Sequence, residues 1–226
     1  MSRIIATSDW HGLADRARAL IAETGYDPKT DDLVILGDMI DRGPDSLGCI
    51  RYAQELQRQG AIVLMGNHED MAMRAYKSVF KDPYHPKYEG DDLAFHLNNG
   101  GDKFWDQSFM EKPNMLEIIR WMESLPPWYR IVWDMTYFFV HAGWDFDRLP
   151  SAQRIDDLLW ERDALFRRPV PDNCTVVFGH TPTNHLRPDR HHLVFRDRGL
   201  VGVDCGGVFG GNLAAISLPD GREYYA

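Results

Sequence analysis

Cysteine is scarce in this sequence, and its few positions argue against a disulfide framework or a thiolate metal cluster. The 226 residues include only Cys49, Cys174 and Cys205, an odd number with no CxxC pair. This pattern predicts three reduced thiols in a cytoplasmic protein.

Long apolar segments and an excess of positive charge are also missing. No apolar run approaches the roughly 20 residues of a membrane span, and the stretch MSRIIATSDW shows no secretory signal. The net charge of −9 disfavours general binding to nucleic acid or to an anionic membrane. Because no repeat, low-complexity tract or linker interrupts the chain, we expect a single domain over residues 1–226.

The N-terminal part of the chain alternates between strand and helix patterns. The predicted strands cover residues 3–8, 32–37 and 61–65, and the predicted helices cover residues 13–23 and 46–59. Continuous apolar strands separated by helices are typical of a parallel sheet that is covered on both faces.

The rest of the chain is less regular. Residues 81–113 are interpreted as a loop-rich insertion, and helices are predicted at 114–124 and 151–168. Further strands are predicted at 129–133, 136–143 and 174–181, and the tail, with 200–204, 212–225 and a Pro-Asp-Gly turn, is predicted to be a meander of short strands. A hairpin turn is expected at Asp134 and Met135.

Five of the predicted strands end in the same unusual way, on carboxylate, amide or imidazole groups. The endings are IIATSDWHG with Asp9 and His11, LVILGDMIDRG with Asp38 and Asp41, IVLMGNHE with Asn67 and His68, YFFVHAG with His141, and TVVFGHT with His180. Carboxyl ends of parallel strands share one edge of a sheet, where ligand sites form. The sequence therefore predicts that these side chains converge.

The chemistry of this set points to metal ions. Nitrogen and oxygen donors without thiolate suit manganese, iron, zinc or magnesium. The donors are too many for one tetrahedral ion and fit two ions that share a carboxylate, an arrangement that clamps a phosphoryl group. Each motif alone has a structural explanation, such as a hydrogen-bonded histidine or a tight glycine turn. Their recurrence favours the metal site.

The motifs SDWHG, GDMIDRG, GNHE, HAG and GHT, in this order, resemble those of the calcineurin-like metallophosphoesterases. GDMIDRGPDS is the most specific and is similar to the phosphoprotein phosphatase branch, which includes bacterial and phage Ser/Thr phosphatases and symmetrical diadenosine tetraphosphatases. The resemblance implies an α/β fold, a four-layer sandwich of two mixed β-sheets flanked by helices.

The resemblance also implies a ligand set for two divalent ions, of which manganese is the expected metal and iron, zinc or magnesium the alternatives. It assigns Asp9 and His11 to the first ion and Asn67, His141 and His180 to the second, with Asp38 bridging both.

The same resemblance implies the catalytic roles. A hydroxide bridging the ions would attack phosphorus, since metal binding lowers the pKa of water to about 7. His68 would donate a proton to the leaving alkoxide and Asp41 would orient it. Arg42 and Arg162 would bind phosphate oxygens, because a guanidinium can bond two oxygens at once.

Two positions depart from the family pattern. Ser8 replaces the usual glycine of the first motif, which should be tolerated because the ligands are unchanged. Met65 stands where many protein phosphatases have an arginine before GNHE, which removes one expected phosphate contact.

The expected function is hydrolysis of phosphomonoesters, in phosphorylated Ser/Thr (and also Tyr) proteins or in small phosphate esters. The alternative is a diadenosine tetraphosphate hydrolase, and a third hypothesis is an inactive phosphate-binding module. Neither general nucleic-acid binding nor a membrane partner is expected.

Several residues outside the motifs leave alternatives open. His85, His96, His185, His191 and His192 follow no strand and are interpreted as surface or loop residues. The basic run 185–198 is either a solvated hairpin or a contact for an acidic substrate. Trp105 and Trp144 are either core residues or stacking residues at the mouth of the site.

Overall fold

The computed structural model describes residues 2–80 and 91–226, and its strands form two sheets of five strands each. In chain order the strands are β1 (Ile4–Thr7), β2 (Asp32–Ile35), β3 (Ile62–Val63), β4 (Trp128–Val132), β5 (Thr136–Val140), β6 (Cys174–Phe178), β7 (Phe195–Asp197), β8 (Leu200–Gly202), β9 (Ala214–Leu218) and β10 (Glu223–Tyr225). The helices are α1 (Ala14–Thr24), α2 (Ser46–Arg58), α3 (Asn67–Val79), α4 (Asp91–His96), α5 (Asp102–Glu111), α6 (Met115–Glu123), α7 (Ile155–Trp160) and α8 (Thr183–Leu186). None of the helices in these ranges is long and apolar enough to cross a membrane.

Both sheets combine parallel and antiparallel strands. The first has the order β10-β9-β1-β2-β3, in which β1, β2 and β3 are parallel and β9 runs antiparallel to β1. The second has the order β4-β5-β6-β8-β7, in which β5, β6 and β8 are parallel between antiparallel edge strands. The expected pair of mixed sheets is confirmed.

Alternating side chains explain why the sheets stack face to face. In β1, Ile4 contributes to the core between the sheets, whereas Ile5 contacts the helices on the outer face. In β5, Phe139 enters the same central core and Phe138 faces outward. Successive residues of a strand point to opposite faces, so each sheet buries both faces and the fold has four layers.

The helix predicted over residues 151–168 is wrong. The segment contains two 3₁₀ turns, Pro150–Ala152 and Ala164–Phe166, and the short helix α7 between them. The backbone N–H groups of Ala142 and Gly143 donate to the carbonyls of Leu158 and Asp157. Carbonyls that could continue the helix therefore bond to the loop after β5.

The interpretation of residues 81–113 as loop-rich is wrong where the structure describes it. Residues 81–90 lie outside the described ranges, but α4, a π-helical turn at Leu97–Gly101 and α5 follow without a loop. Gly100 has φ of 95°, a conformation that few other residues adopt, and it allows the chain to kink between α4 and α5.

Phe139 tests the importance of the core between the sheets. It is fully buried, so Phe139→Ala should lower the free energy of unfolding by about 3–5 kcal/mol. The control is Val132→Ala in the edge strand β4, where the side chain is 60% exposed and a change below about 0.5 kcal/mol is expected. Equal effects in urea titrations of the two variants would contradict this account of the core.

Candidate active site

The polar strand ends meet at one edge of the sandwich, and they come from both sheets. Asn67 follows β3, and its Oδ1 lies 2.9 Å from Nε2 of His141, after β5, and 2.9 Å from Nδ1 of His180, after β6. The backbone N–H of His180 donates to Oδ2 of Asp9, after β1, at 3.0 Å. The predicted convergence thus occurs, but across two stacked sheets rather than along one.

Asp38 lies at the centre of this group. Its Oδ2 is 3.4 Å from Nε2 of His141 and 3.7 Å from Nε2 of His11. Two groups of side chains in the described residues have donor atoms close enough for one ion, and both contain Asp38. The first group adds His11 and His68, and the second adds His141 and His180.

Two histidines are held in the tautomer that a metal ion requires. Nδ1 of His11 bonds to the carbonyl of Ile40 at 2.9 Å, and Nδ1 of His141 bonds to the carbonyl of Leu36 at 2.8 Å. A carbonyl can only accept, so Nδ1 carries the proton in both neutral rings, which leaves Nε2 unprotonated at 3.4–3.7 Å from Oδ2 of Asp38. These residues fit a divalent cation.

Burial favours the neutral form of the clustered histidines. It is the main cause that lowers the pKa of His11, His68 and His141, and it lowers the pKa of His180 to about 2. A neutral imidazole is the form that coordinates a metal ion. For His68, the carboxylate of Asp41 on Nδ1 favours the protonated form.

The backbone at the site is unusual. Ten residues other than glycine have positive φ in the described ranges, and six of them are predicted site residues: Asp9, His11, Asp38, Asp41, Arg42 and His180. L-residues rarely adopt this conformation, and such strain concentrates at functional sites.

Glycines allow the strand ends to approach one another. Gly37 has φ of 90°, and a Cβ there would collide with the backbone of Gly66. Gly179 leaves room for Ser8 and Asp9, which are joined by a hydrogen bond from Ser8 Oγ to Asp9 Oδ2. Ser8 in place of a glycine is therefore accommodated.

Glu69 organises the site, although sequence reasoning missed this role. Its two carboxylate oxygens accept hydrogen bonds from the backbone N–H groups of Asp38, Met39 and Gly66 at 2.8–2.9 Å. Burial raises the pKa of Glu69 to about 7, whereas these hydrogen bonds act in the opposite direction. The side chain joins the loops that follow β2 and β3.

Asp204 was also missed, although the pattern that identified the other residues could have found it. It follows β8 in LVGVDCGG, which makes it a sixth polar strand end, and it is 5% exposed. Its Oδ1 accepts a hydrogen bond from the N–H of Gly206 at 2.9 Å. Burial, and then the nearby Asp9, raise the pKa of Asp204 well above its usual range.

The interpretation of His96 as a surface or loop residue is wrong. His96 is fully buried at the end of α4, and its Nε2 lies 2.7 Å from Oδ2 of Asp41. The same oxygen lies 2.6 Å from Nδ1 of His68, whose Nε2 is 3.9 Å from Oδ2 of Asp38. A residue 55 positions from Asp41 is placed here by tertiary packing, which no local pattern reveals.

The predicted phosphate-binding arginines border one cleft. Arg42 contacts Nε2 of His11, and Arg162 donates to the carbonyl of His180 at 3.4 Å and to Oγ1 of Thr181 at 3.3 Å. The cleft encloses about 280 Å³, and its lining includes Arg42, Arg162, His180, His185, His192, Asp204 and Phe209. His185 and His192 thus border the candidate site.

The two tryptophans considered for substrate stacking have other roles. Trp144 is 3% exposed and packs in the outer core of the second sheet. Trp105 donates its indole N–H to Nδ1 of His96 at 3.0 Å. Neither lines the cleft, so the core alternative applies.

The sequence matches the family described as calcineurin-like phosphoesterase over residues 2–211. It is 30% identical to serine/threonine-protein phosphatase 1 of Salmonella typhimurium over 93% of this chain and 89% of that protein. It is 29% identical to a symmetrical bis(5'-nucleosyl)-tetraphosphatase of Buchnera aphidicola over 79% of this chain but only 60% of that enzyme. A solved structure described as a cold-active protein-tyrosine phosphatase of a Shewanella species has a TM-score of 0.58 at 18% identity, covering 99% of this chain and 80% of that one.

Asp204 should make the metal-free protein less stable as pH rises above the ordinary carboxyl pKa of about 4, because its own pKa is raised in the folded state. A carboxyl with a raised pKa binds more protons in the folded state than in the unfolded state, so rising pH lowers the free energy of unfolding. Histidines titrate near pH 6.5 in the unfolded state and change the slope equally in the wild type and in the Asp204→Asn variant, so the difference between the two isolates Asp204. Asp204→Asn, which keeps the acceptor for Gly206, should reduce this loss in chemical unfolding of chelator-treated protein.

A matched control is Asp189→Asn. Asp189 is paired with Arg187, whose hydrogen bond lowers the pKa of that carboxyl, so its ionisation does not change in this range. The explanation fails if Asp204→Asn and Asp189→Asn have the same pH dependence as the wild type.

Proposed function

The chain belongs to the calcineurin-like phosphoesterases, and from this premise we propose that it is a two-metal phosphatase for phosphomonoesters, chiefly phosphorylated Ser/Thr peptides. The observation that carries the proposal is the cluster of neutral imidazoles around the carboxylate of Asp38, beside a cleft bordered by two arginines. This site combines donor atoms for metal ions with guanidinium groups that can bind a phosphate.

In the proposed site, Asp9 and His11 would hold one ion, Asn67, His141 and His180 would hold the other, and Asp38 would serve both. When bound, the ions supply Lewis acidity and make a water nucleophile available at neutral pH. Manganese is the proposed metal, since the donors are nitrogen and oxygen atoms.

The chain's own residues bind and orient the substrate. Arg42 and Arg162 both border the cleft, although they are far apart in the sequence. Each of the two planar guanidinium groups can bond phosphate oxygens. Arg42 also contacts Nε2 of His11. Its guanidinium therefore lies next to one of the proposed metal donors.

His68 is proposed as the general acid that protonates the leaving oxygen, in the imidazolium form that the carboxylate of Asp41 favours. Its Nδ1 is bonded to Asp41, which leaves Nε2 directed toward the centre of the site. Metal-ligating histidines use the same carboxylate support, and His68 also belongs to one of the candidate donor groups. If His68 is a general acid, its substitution should leave the metal content unchanged, whereas substitution of a metal ligand should lower it.

Peptide phosphoesters rank above dinucleotides because the nearby basic run offers few unpaired charges. Arg187 is paired with Asp189, Arg196 with Glu223, and Arg198 with Asp197. The additional phosphates of a dinucleoside tetraphosphate would need such charges. The match over nearly the whole length of a Ser/Thr phosphatase agrees with this ranking.

Hydrolysis of diadenosine tetraphosphate is the second candidate. An adjoining groove of about 690 Å³ shares Arg162 and His185 with the cleft, and its lining includes the aromatic rings of Phe166 and Phe195. Aromatic rings can stack on a base, so this groove favours a substrate with a nucleoside arm.

Removal of metal should abolish phosphatase activity. Activity of the chelated protein should return on addition of divalent cations, with manganese most effective, and metal analysis should find close to two equivalents per chain. Asp38→Asn, which alters the proposed bridging ligand, should lower both metal content and activity. Full turnover after rigorous metal removal would rule out the two-metal proposal.

His68→Asn should slow turnover by roughly 10²–10⁴-fold while metal content stays near the wild-type value, because a general acid contributes about this much. The loss should be smaller for esters with very acidic leaving groups, which need no proton. If metal analysis shows that the variant has lost an ion, His68 is a ligand instead.

Phosphomonoesters should be cleaved more efficiently than diadenosine tetraphosphate. The comparison is kcat/KM on a phosphothreonine peptide and on the dinucleotide, with the same preparation and metal. A tenfold preference for the dinucleotide, roughly 1.4 kcal/mol in transition-state stabilisation, would establish the second candidate instead.

A further inference from the structure

One carboxylate oxygen binds two buried imidazole rings beside the cleft. Oδ2 of Asp41 is 2.6 Å from Nδ1 of His68 and 2.7 Å from Nε2 of His96. None of the three residues is more than 1% exposed. Among the described residues, Oδ1 of Asp41 has no hydrogen-bond partner. The orientation of this carboxylate therefore depends on the two imidazoles.

Trp105 sets the tautomer of His96. Its indole N–H lies 3.0 Å from Nδ1 of His96. An indole can only donate, so Nδ1 of His96 accepts and Nε2 carries the proton. His96 is thus a fixed donor to Asp41. The hydrogen bonds run from Trp105 through His96 to Asp41, where His68 donates to the same oxygen.

The π-helical turn Leu97–Gly101 fixes the position of His96. A Cβ on Gly101 would lie 2.5 Å from Cδ2 of His96, so the absence of a side chain lets the ring pack directly against the backbone. The carbonyl of Gly100 accepts the backbone N–H of Arg42 at 2.9 Å. The turn therefore contacts both His96 and the loop that carries Asp41 and Arg42.

We propose that His96 is a positioning residue for the proton donor His68 and acts through the shared carboxylate of Asp41. The inference rests on the proposed role of His68. Without the N–H of His96, the Asp41 carboxylate loses one of its two donors and can rotate, so Nδ1 of His68 is no longer held in one direction. His96 itself touches neither the cleft nor the proposed metal donors.

Two substitutions at His96 separate positioning from packing. His96→Gln keeps an N–H that can reach Asp41, whereas His96→Leu removes it. On a phosphoserine peptide, kcat should fall on the order of tenfold or more in His96→Leu, and by less than about threefold in His96→Gln. On 2,4-dinitrophenyl phosphate, whose leaving group needs no proton, both variants should stay within about threefold of the wild type.

A pair of tryptophan variants repeats the test without changing a histidine. Trp105→Phe removes the N–H that fixes the tautomer of His96. Trp121→Phe is the matched control, because Trp121 donates its indole N–H to Oε1 of Gln57 at 2.8 Å, in a different part of the fold. Only Trp105→Phe should show a larger loss on the peptide than on the dinitrophenyl ester. This pair also decides the question if His96→Leu does not fold.

A double-mutant cycle tests whether His96 acts through His68. In a His68→Asn background, His96→Leu should have almost no further effect, since residues that act as a unit are non-additive. Long-range ¹H–¹⁵N spectra of the metal-free protein provide a second readout. The Nδ1–H tautomer of His68 should persist in His96→Gln and be lost in His96→Leu.

The outcomes separate this inference from the proposed function. Equal losses on both esters, no loss in His96→Leu or Trp105→Phe, or additive effects in the cycle would overturn the role of His96 while the enzyme remains a phosphatase. A wild-type protein without metal-dependent phosphatase activity would overturn the proposed function itself.

Discussion

Buried negative charge at one edge of the sandwich is the constraint on which the rest of the site depends. Asp9, Asp38 and Asp204 are each no more than 5% exposed. Burial and the proximity of other carboxylates raise the pKa of Asp38 and of Asp204. Buried carboxylates are tolerated only when they are protonated or paired with cations. Proton binding and cation binding are therefore alternatives at this edge, and metal ions would release the protons.

The fold meets this constraint by holding the donors in place before any ligand arrives. Six candidate site residues have positive φ, and such conformations persist only where the surrounding structure enforces them. Glu69 supplies part of that enforcement through three backbone hydrogen bonds. Backbone carbonyls also hold the rings of His11 and His141 in one tautomer and orientation. The chain thus concentrates its strain where the chemistry is proposed to occur.

Sequence patterns were reliable where the signal was local. The helix expected at 114–124 is α6, Met115–Glu123, and the hairpin expected at Asp134 and Met135 joins β4 to β5. The helix expected at 151–168 is interrupted, because the carbonyls of Asp157 and Leu158 accept hydrogen bonds from the loop after β5. The strand pattern predicted a covered parallel sheet, whereas the second sheet was expected only from the family resemblance. Roles for the site residues stay predictions, because geometry alone does not assign a ligand.

The sequence by itself determined which donor groups stand at the strand ends. A buried apolar run that stops on Asp, Asn or His is visible in the sequence, and the motif order of the family is visible with it. Tertiary structure decided which of these groups touch, and it added His96, whose side chain reaches Asp41 across 55 positions. Strand termination depends on neighbouring residues along the chain, whereas contacts such as Asn67 with His180 exist only because two sheets stack and bring their strand ends together.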